Sequence, residues 1–211
     1  MTRGKFITLE GMDGAGKSTH VAWIPGFLEA RGVKVRLTRE PGGTDIGEKL
    51  RALLLDKTQS LHADTEALLM FAARREHIDK VIRPALNAGE WVVCDRFTDA
   101  SFAYQAGGSG LAWERIAALE DWVQRPLALQ PDLTLYYDVP SEVGKSRTQA
   151  AREADRFELE GRSFFDRVRA GYLRRAREHA SRMVVIDGTQ PLEVVRRKTE
   201  EAIETLVSIC F

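Results

Sequence analysis

Phe6-Ile7-Thr8-Leu9-Glu10-Gly11-Met12-Asp13-Gly14-Ala15-Gly16-Lys17-Ser18-Thr19 decides the fold. A short apolar run rich in β-formers stops at Glu10, a glycine-spaced turn follows, and a helix-like segment begins near Lys17. Gly11-x-x-x-x-Gly16-Lys17-Ser18 fits the phosphate-loop pattern in the context it requires, after a strand and before a helix. Backbone N–H groups can converge on a triphosphate only where the chain wraps tightly, which calls for glycines free to take φ > 0. The N-terminus of the following helix adds unpaired N–H groups and a partial positive charge. Lys17 supplies a point charge for the β and γ phosphates, and Ser18 offers a hydroxyl to Mg²⁺. Residues Gly11, Met12, Asp13, Gly14, Ala15, Gly16, Lys17, Ser18 and Thr19 are therefore the expected nucleotide-binding loop.

The chain has 211 residues, enough for one α/β domain with a sizeable core. Its formal net charge is zero, so nothing points to a polyanion-binding surface, and large nucleic acids are not expected partners. Cys94 and Cys210 have no C-x-x-C spacing, which excludes a disulfide or metal framework. Cys94 lies in an apolar run and reads as a small buried thiol. The first strand follows the N-terminus directly, with no signal-peptide pattern and no bilayer-spanning run. A reducing cytoplasm is the expected compartment.

No repeat, low-complexity tract or linker interrupts the chain, so residues 1–211 read as one domain. Strand-like runs recur at Phe6–Leu9, Val33–Leu37, Trp91–Cys94, Leu133–Val139 and Met183–Ile186. Helical patterns separate them: Ser18–Arg31 with a kink expected at Pro25, Ile46–Leu55, Thr65–Leu86 bent or broken near Pro84, Trp113–Val123, Gly161–Ala180 and Leu192–Ile209. Alternating strands and helices predict a parallel five-stranded sheet covered on both faces, with ligands at the carboxyl ends of the strands. Those ends carry Thr38-Arg39-Glu40-Pro41-Gly42-Gly43-Thr44, Asp95-Arg96-Phe97 and Asp138.

An acid at a strand end beside a phosphate loop, here Asp95, can organise Mg²⁺, and Arg96 can fork onto a phosphate. Asp138 is equally readable as a structural strand end. Phe71 and Arg75 stand four apart on a predicted helix and share a face. That pair could stack a base and bond its edge, although an isolated phenylalanine is more often core. Arg147, Arg152 and Arg156 fall in a polar stretch that reads equally as a solvated face or as a lid over a transferring phosphoryl group.

These motifs in this order resemble thymidylate kinases of the bacterial kind, which carry the catalytic arginine in the lid. Besides the phosphate loop, the marks are Thr38–Thr44, Glu48-Lys49-Leu50-Arg51, Leu69-Met70-Phe71-Ala72-Ala73-Arg74-Arg75, Asp95-Arg96-Phe97, Tyr104-Gln105 and Pro131–Leu135. The resemblance implies a nucleoside monophosphate kinase fold with a short lid, about 146–160. It implies ATP and dTMP as substrates, Mg²⁺ as cofactor and a homodimer. Asp13 would bond the sugar 3′-hydroxyl. Arg51 and Arg96 would hold the acceptor phosphate. Phe71 would stack on thymine and Arg75 would donate to its O4, with Ser101, Tyr104 and Gln105 completing the acceptor site. Lys17, Asp95, Arg96 and a lid arginine would carry catalysis, Ser18 and Asp95 the metal, and Arg147 and Arg156 the ATP phosphates. The segment Asp187–Pro191 would lie near adenine.

Two departures from the family pattern stand out. Gln149 and Ala151 interrupt the usual alternation of lid arginines and Arg152 is offset, so the pattern does not single out the catalytic one; Arg152 is the expected choice. Phe97 stands where relatives often carry tyrosine or histidine. A kinase for another monophosphate is the nearest alternative. A regulatory GTPase is disfavoured, because the sole asparagine, Asn87, precedes Ala88 and no Asn-Lys-x-Asp motif exists.

Overall fold

The computed structural model describes residues 3–148, 156–157 and 160–208. Five strands, β1 (Phe6–Glu10), β2 (Val35–Arg39), β3 (Trp91–Asp95), β4 (Leu133–Asp138) and β5 (Met183–Asp187), form one wholly parallel sheet in the order β2-β3-β1-β4-β5. Strand period divides the core. Phe6 on β1 and Val92 and Cys94 on β3 face one apolar cluster, while Ile7, Leu9, Trp91 and Val93 face the other. Every residue of β1 is buried, as a central strand covered on both faces requires.

On the first face lie α3 (Ala63–His77), its continuation α4 (Arg83–Asn87), and α6 (Trp113–Gln124), which build the cluster around Phe71 and Phe97. On the second lie α1 (Lys17–Glu29), α8 (Arg162–Glu178) and α9 (Leu192–Ser208), around Ile24, Tyr172 and Ile203. Helix α2 (Asp45–Leu55) is capped by Thr44, whose Oγ1 accepts the Gly47 N–H at 2.9 Å.

Several expectations need adjustment. Strand β2 starts two residues later than expected, because the Val33 N–H bonds back to Leu28 O and closes α1. Pro25 lies within α1 and does not end it. The break expected near Pro84 is a π-helical turn, Ile78–Ile82, just ahead of the proline that cannot donate to a regular ladder. Two helical segments were not expected. Helix α5 (Thr98–Ser101) runs into a π-helical stretch, Phe102–Gly108, and α7 (Ser141–Thr148) leads into the stretch expected as a lid. The π-helical stretch packs closely on α8: a Cβ on Gly171 would lie 2.9 Å from Ala103 Cα, and one on Gly107 would lie 2.8 Å from Arg167 O.

Candidate active site

The carboxyl edge of the sheet assembles the site. Gly11, Gly14 and Gly16 take φ of 140°, 79° and 92°, conformations that residues with side chains rarely adopt. Gly14 is also sterically fixed, since a Cβ there would sit 2.2 Å from Gly144 O. Gly16 precedes α1, and no side chain caps that helix, so its first N–H groups stay open to an anion. Lys17 is 5% exposed, and its Nζ donates to Met12 O at 3.1 Å and lies 3.9 Å from Asp13 Oδ1. Burial, followed by the nearby Arg96 charge, lowers the Lys17 pKa from its ordinary value. Ser18 and Thr19 are exposed at the mouth.

The loop floors a cleft of about 810 Å³ that also takes in Arg39, Arg51, Asp95, Arg96 and Arg147. Arg147 reaches over it and donates to Gly14 O at 3.3 Å and Gly188 O at 3.0 Å. The turn after β5 borders the same cleft through Gly188 and Gln190, and Asp187 fixes it by accepting the Thr189 N–H at 2.9 Å.

A second pocket lies deeper, lined by Ser101, Tyr104 and Gln105 from the helical turn after β3, with Pro41, Met70, Arg74 and Phe157. Asp13, Arg51 and Arg96 border both cavities. Arg96 donates to Asp13 Oδ1 at 3.1 Å, to Gly11 O at 3.2 Å and to the Tyr104 hydroxyl at 3.2 Å. Arg51 donates to Pro41 O at 2.8 Å. Burial, then the positive charge of Arg39, lowers its pKa. An anion between the two cavities would meet both guanidinium groups.

Phe71 and Arg75 are not brought to this pocket. Phe71 is 2% exposed and packs in the core, while Arg75 turns to Asp79 at 2.7 Å and to Val123 O at 3.4 Å. Met70 and Arg74, one residue earlier with the same spacing, occupy the place expected of them. One residue is about 100° of helical turn, so an error of one step changes the face entirely. Arg74 is itself buried. Its Nε donates to Glu40 Oε2 at 2.8 Å, both terminal nitrogens reach Ser101 Oγ at 3.1 Å, and Nη2 reaches Phe97 O at 3.2 Å. Glu40 also pairs with His77 Nδ1 at 3.0 Å, whose Nε2 meets Thr38 Oγ1 at 2.7 Å. The residues missed from the sequence are thus Arg39, Glu40, Met70, Arg74 and Phe157. Glu40 within the Glu-Pro-Gly-Gly run was the available signal, since a buried acid there demands a cation.

The residues expected in a lid divide. Arg152 lies outside the described residues. Arg156 does not reach the phosphate loop: its guanidinium pairs with the buried Glu66 and donates to Leu54 O at 2.8 Å. Glu66 in turn accepts from Gln105 Nε2 at 2.8 Å, and Phe157 lies edge-on to Tyr104 at 5.7 Å, roofing the inner pocket. Asp138 is structural, bound by two 2.7 Å bonds from Arg169.

The residues fit a divalent cation. Asp95 Oδ1 is buried without a hydrogen-bond partner among the described residues, and it borders the cleft that Ser18 opens onto. Among the described residues no group of three or more His, Cys, Asp or Glu is placed to hold a metal ion by itself. A cation held here would draw most of its oxygen ligands from phosphates and water, which is the habit of Mg²⁺.

The thymidylate kinase family model matches residues 9–199. A thymidylate kinase of Nitrosospira multiformis is 61% identical over 97% of this chain and 98% of its own length. One of Nitrosomonas eutropha is 59% identical over 97% and 94%. A crystal structure of thymidylate kinase from Ehrlichia chaffeensis superposes with a TM-score of 0.77 at 36% identity, covering 97% of this chain and 98% of that one. With its phosphate loop, its second pocket and these likenesses over nearly the whole length, the chain belongs to the thymidylate kinase family.

Proposed function

We propose that this protein transfers the γ-phosphoryl group of ATP to the 5′-phosphate of dTMP, giving ADP and dTDP. Membership in the family over nearly the whole chain carries this reading. The geometry supports it, because two cavities meet at Asp13, Arg51 and Arg96, as a reaction joining two phosphorylated nucleotides end to end requires.

The reaction needs no covalent enzyme intermediate. Catalysis is positioning plus stabilisation of charge on the bridging oxygens. The phosphate-loop amides and Lys17 hold the donor phosphates, and Arg147 lies over them. Arg51 and Arg96 hold the acceptor phosphate in line. Tyr104 packs beneath the deoxyribose, where a 2′-hydroxyl would clash, and Asp13 accepts the 3′-hydroxyl. Met70 packs on the base and Arg74 donates to its O4 edge. When bound, Mg²⁺ supplies charge neutralisation on the phosphates, with Asp95 and Ser18 as its protein partners.

Two further readings belong here. A homodimer is supported by the outer face of α3 and α6, where Leu68 is 54% and Trp122 75% exposed beside Leu119 and Leu127. A cytoplasmic location is supported by the buried free thiol of Cys94 and by the use of ATP. No helix among the described residues is long and apolar enough to cross a membrane. A coupled ADP-release assay over dTMP, dUMP, UMP, dCMP and dGMP tests the activity. Highest efficiency on dTMP is expected, and higher efficiency on a purine or cytosine monophosphate would overturn the assignment.

A further inference from the structure

Glu10, the last residue of β1, is wholly buried and borders neither cavity. Its Oε1 accepts the Phe97 N–H at 2.8 Å, and its Oε2 accepts the Tyr172 hydroxyl at 2.9 Å. Phe97 directly follows Arg96, whose φ of 68° lies in the left-handed region. A side-chain-bearing residue stays there only where its surroundings over-determine it. Three bonds do so here. The Arg96 N–H donates to Leu9 O at 2.9 Å, Cys94 Sγ approaches Arg96 O at 3.0 Å, and Phe97 N–H donates to Glu10. A thiol is a weak donor. The Glu10 bond therefore holds the N–H at the far end of this turn, while Arg74 Nη2 holds the Phe97 carbonyl at 3.2 Å.

That turn aims the Arg96 guanidinium at Asp13, Gly11 O and Tyr104. The other oxygen of Glu10 leads to α8, the helix that follows the lid region. One carboxyl thus joins the strand before the phosphate loop, the turn bearing Arg96 and the helix behind the lid.

We propose that Glu10 is a positioning residue for phosphoryl transfer, holding Arg96 in its left-handed turn through the Phe97 N–H. This rests on the reading that Arg96 binds the acceptor phosphate. Burial, then the charge of Asp99, pushes the Glu10 carboxyl up to about 8, so near neutrality it is mostly protonated. A neutral carboxyl still offers its carbonyl oxygen to Phe97, and an amide does the same.

The test compares Glu10→Gln, which keeps that acceptor, with Glu10→Leu, which removes it at similar volume. The Gln variant should keep kcat/KM for dTMP within about threefold. The Leu variant should lose about tenfold to a hundredfold, the scale of a small misplacement of a reacting group, while KM for ATP stays within about twofold. In an Arg96→Ala background, Glu10→Leu should cause no further loss, because its effect passes through Arg96. Tyr172→Phe, which frees one oxygen of the carboxyl, gives the same pattern at smaller size and serves if the Leu variant does not fold. A Leu variant or a Tyr172→Phe variant with native dTMP efficiency overturns the proposal, as does an equal loss in the Arg96→Ala background. Native efficiency of Arg96→Ala alone instead overturns the phosphate role of Arg96 on which the proposal stands.

Discussion

Asp13 accepts a hydrogen bond from Arg96 at 3.1 Å, and this pair stands on the wall common to both cavities. Asp13 is also 3.9 Å from Lys17. One carboxylate thus sets the position of two cations, Lys17 in the phosphate-loop cleft and Arg96 between the two cavities.

Lys17→Ala should therefore abolish transfer, lowering kcat by about a thousandfold or more, since removal of a charge-stabilising donor costs on that order. The fold should survive. Burial already disfavours the lysine charge, so its loss leaves Asp13 still paired with Arg96. Steady-state kinetics and a thermal melt together check this. Near-native activity would mean that another residue holds the phosphates.

Arg74 and Arg75 give a second contrast. Arg74→Ala leaves Glu40 buried with His77 alone, and breaking such a pair costs about 3–5 kcal/mol. Its melting temperature should fall by several degrees and its KM for dTMP should rise. Arg75→Ala removes an exposed pair with Asp79, worth about 0.3–0.5 kcal/mol, and should leave both nearly unchanged. Reversed effects would return base recognition to Arg75.

That contrast marks where the sequence was readable. The phosphate loop was legible because only glycine meets its backbone demands, and the glycines occur at the right spacing before a helix. The five strands were legible as apolar runs. Phe71 and Met70 were not separable, because both belong to four-residue spacings ending in arginine, and it is burial of Phe71 in the cluster with Phe97 and Val92 that turns Met70 to the pocket. Arg156 looked like another phosphate ligand because its partner, Glu66, is distant in sequence by 90 residues. The helical stretch Thr98–Gly108 stayed hidden because its small residues are there for contact with α8, which no local pattern reveals.

The Glu10 carboxyl predicts a pH dependence of stability. Its folded pKa, about 8, lies above the ordinary 4.5, so the native state binds more protons between these values. Stability from this group is complete below about 4.5 and is lost as pH rises toward 8. Among the facing groups, the Asp99 carboxyl is held down by Arg182 and Arg175 despite its burial, Tyr172 is pushed up by burial, and Lys17 is lowered by burial. His20 and His179, lowered by burial, act oppositely below about 6.5 and are common to both proteins compared. Urea unfolding of Glu10→Gln and the parent from pH 5 to 8 should show the parent declining relative to the variant. Parallel curves would place Glu10 at an ordinary pKa.

Selectivity follows from what each acceptor would press against. The thymine methyl is one small apolar group, worth about 1 kcal/mol, so dTMP should exceed dUMP by only about fivefold in kcat/KM. A ribose 2′-hydroxyl would instead meet Tyr104, which is held by Phe157, Phe164 and Tyr172 at 5.7, 6.2 and 6.3 Å and cannot easily withdraw. UMP should therefore fall well below dUMP. Tyr104→Ala should narrow that gap, though it also removes a partner of Arg96 and will lower the rate on every acceptor. The ratio of dUMP to UMP efficiency isolates the steric part, and a ratio unchanged by the substitution would refute it.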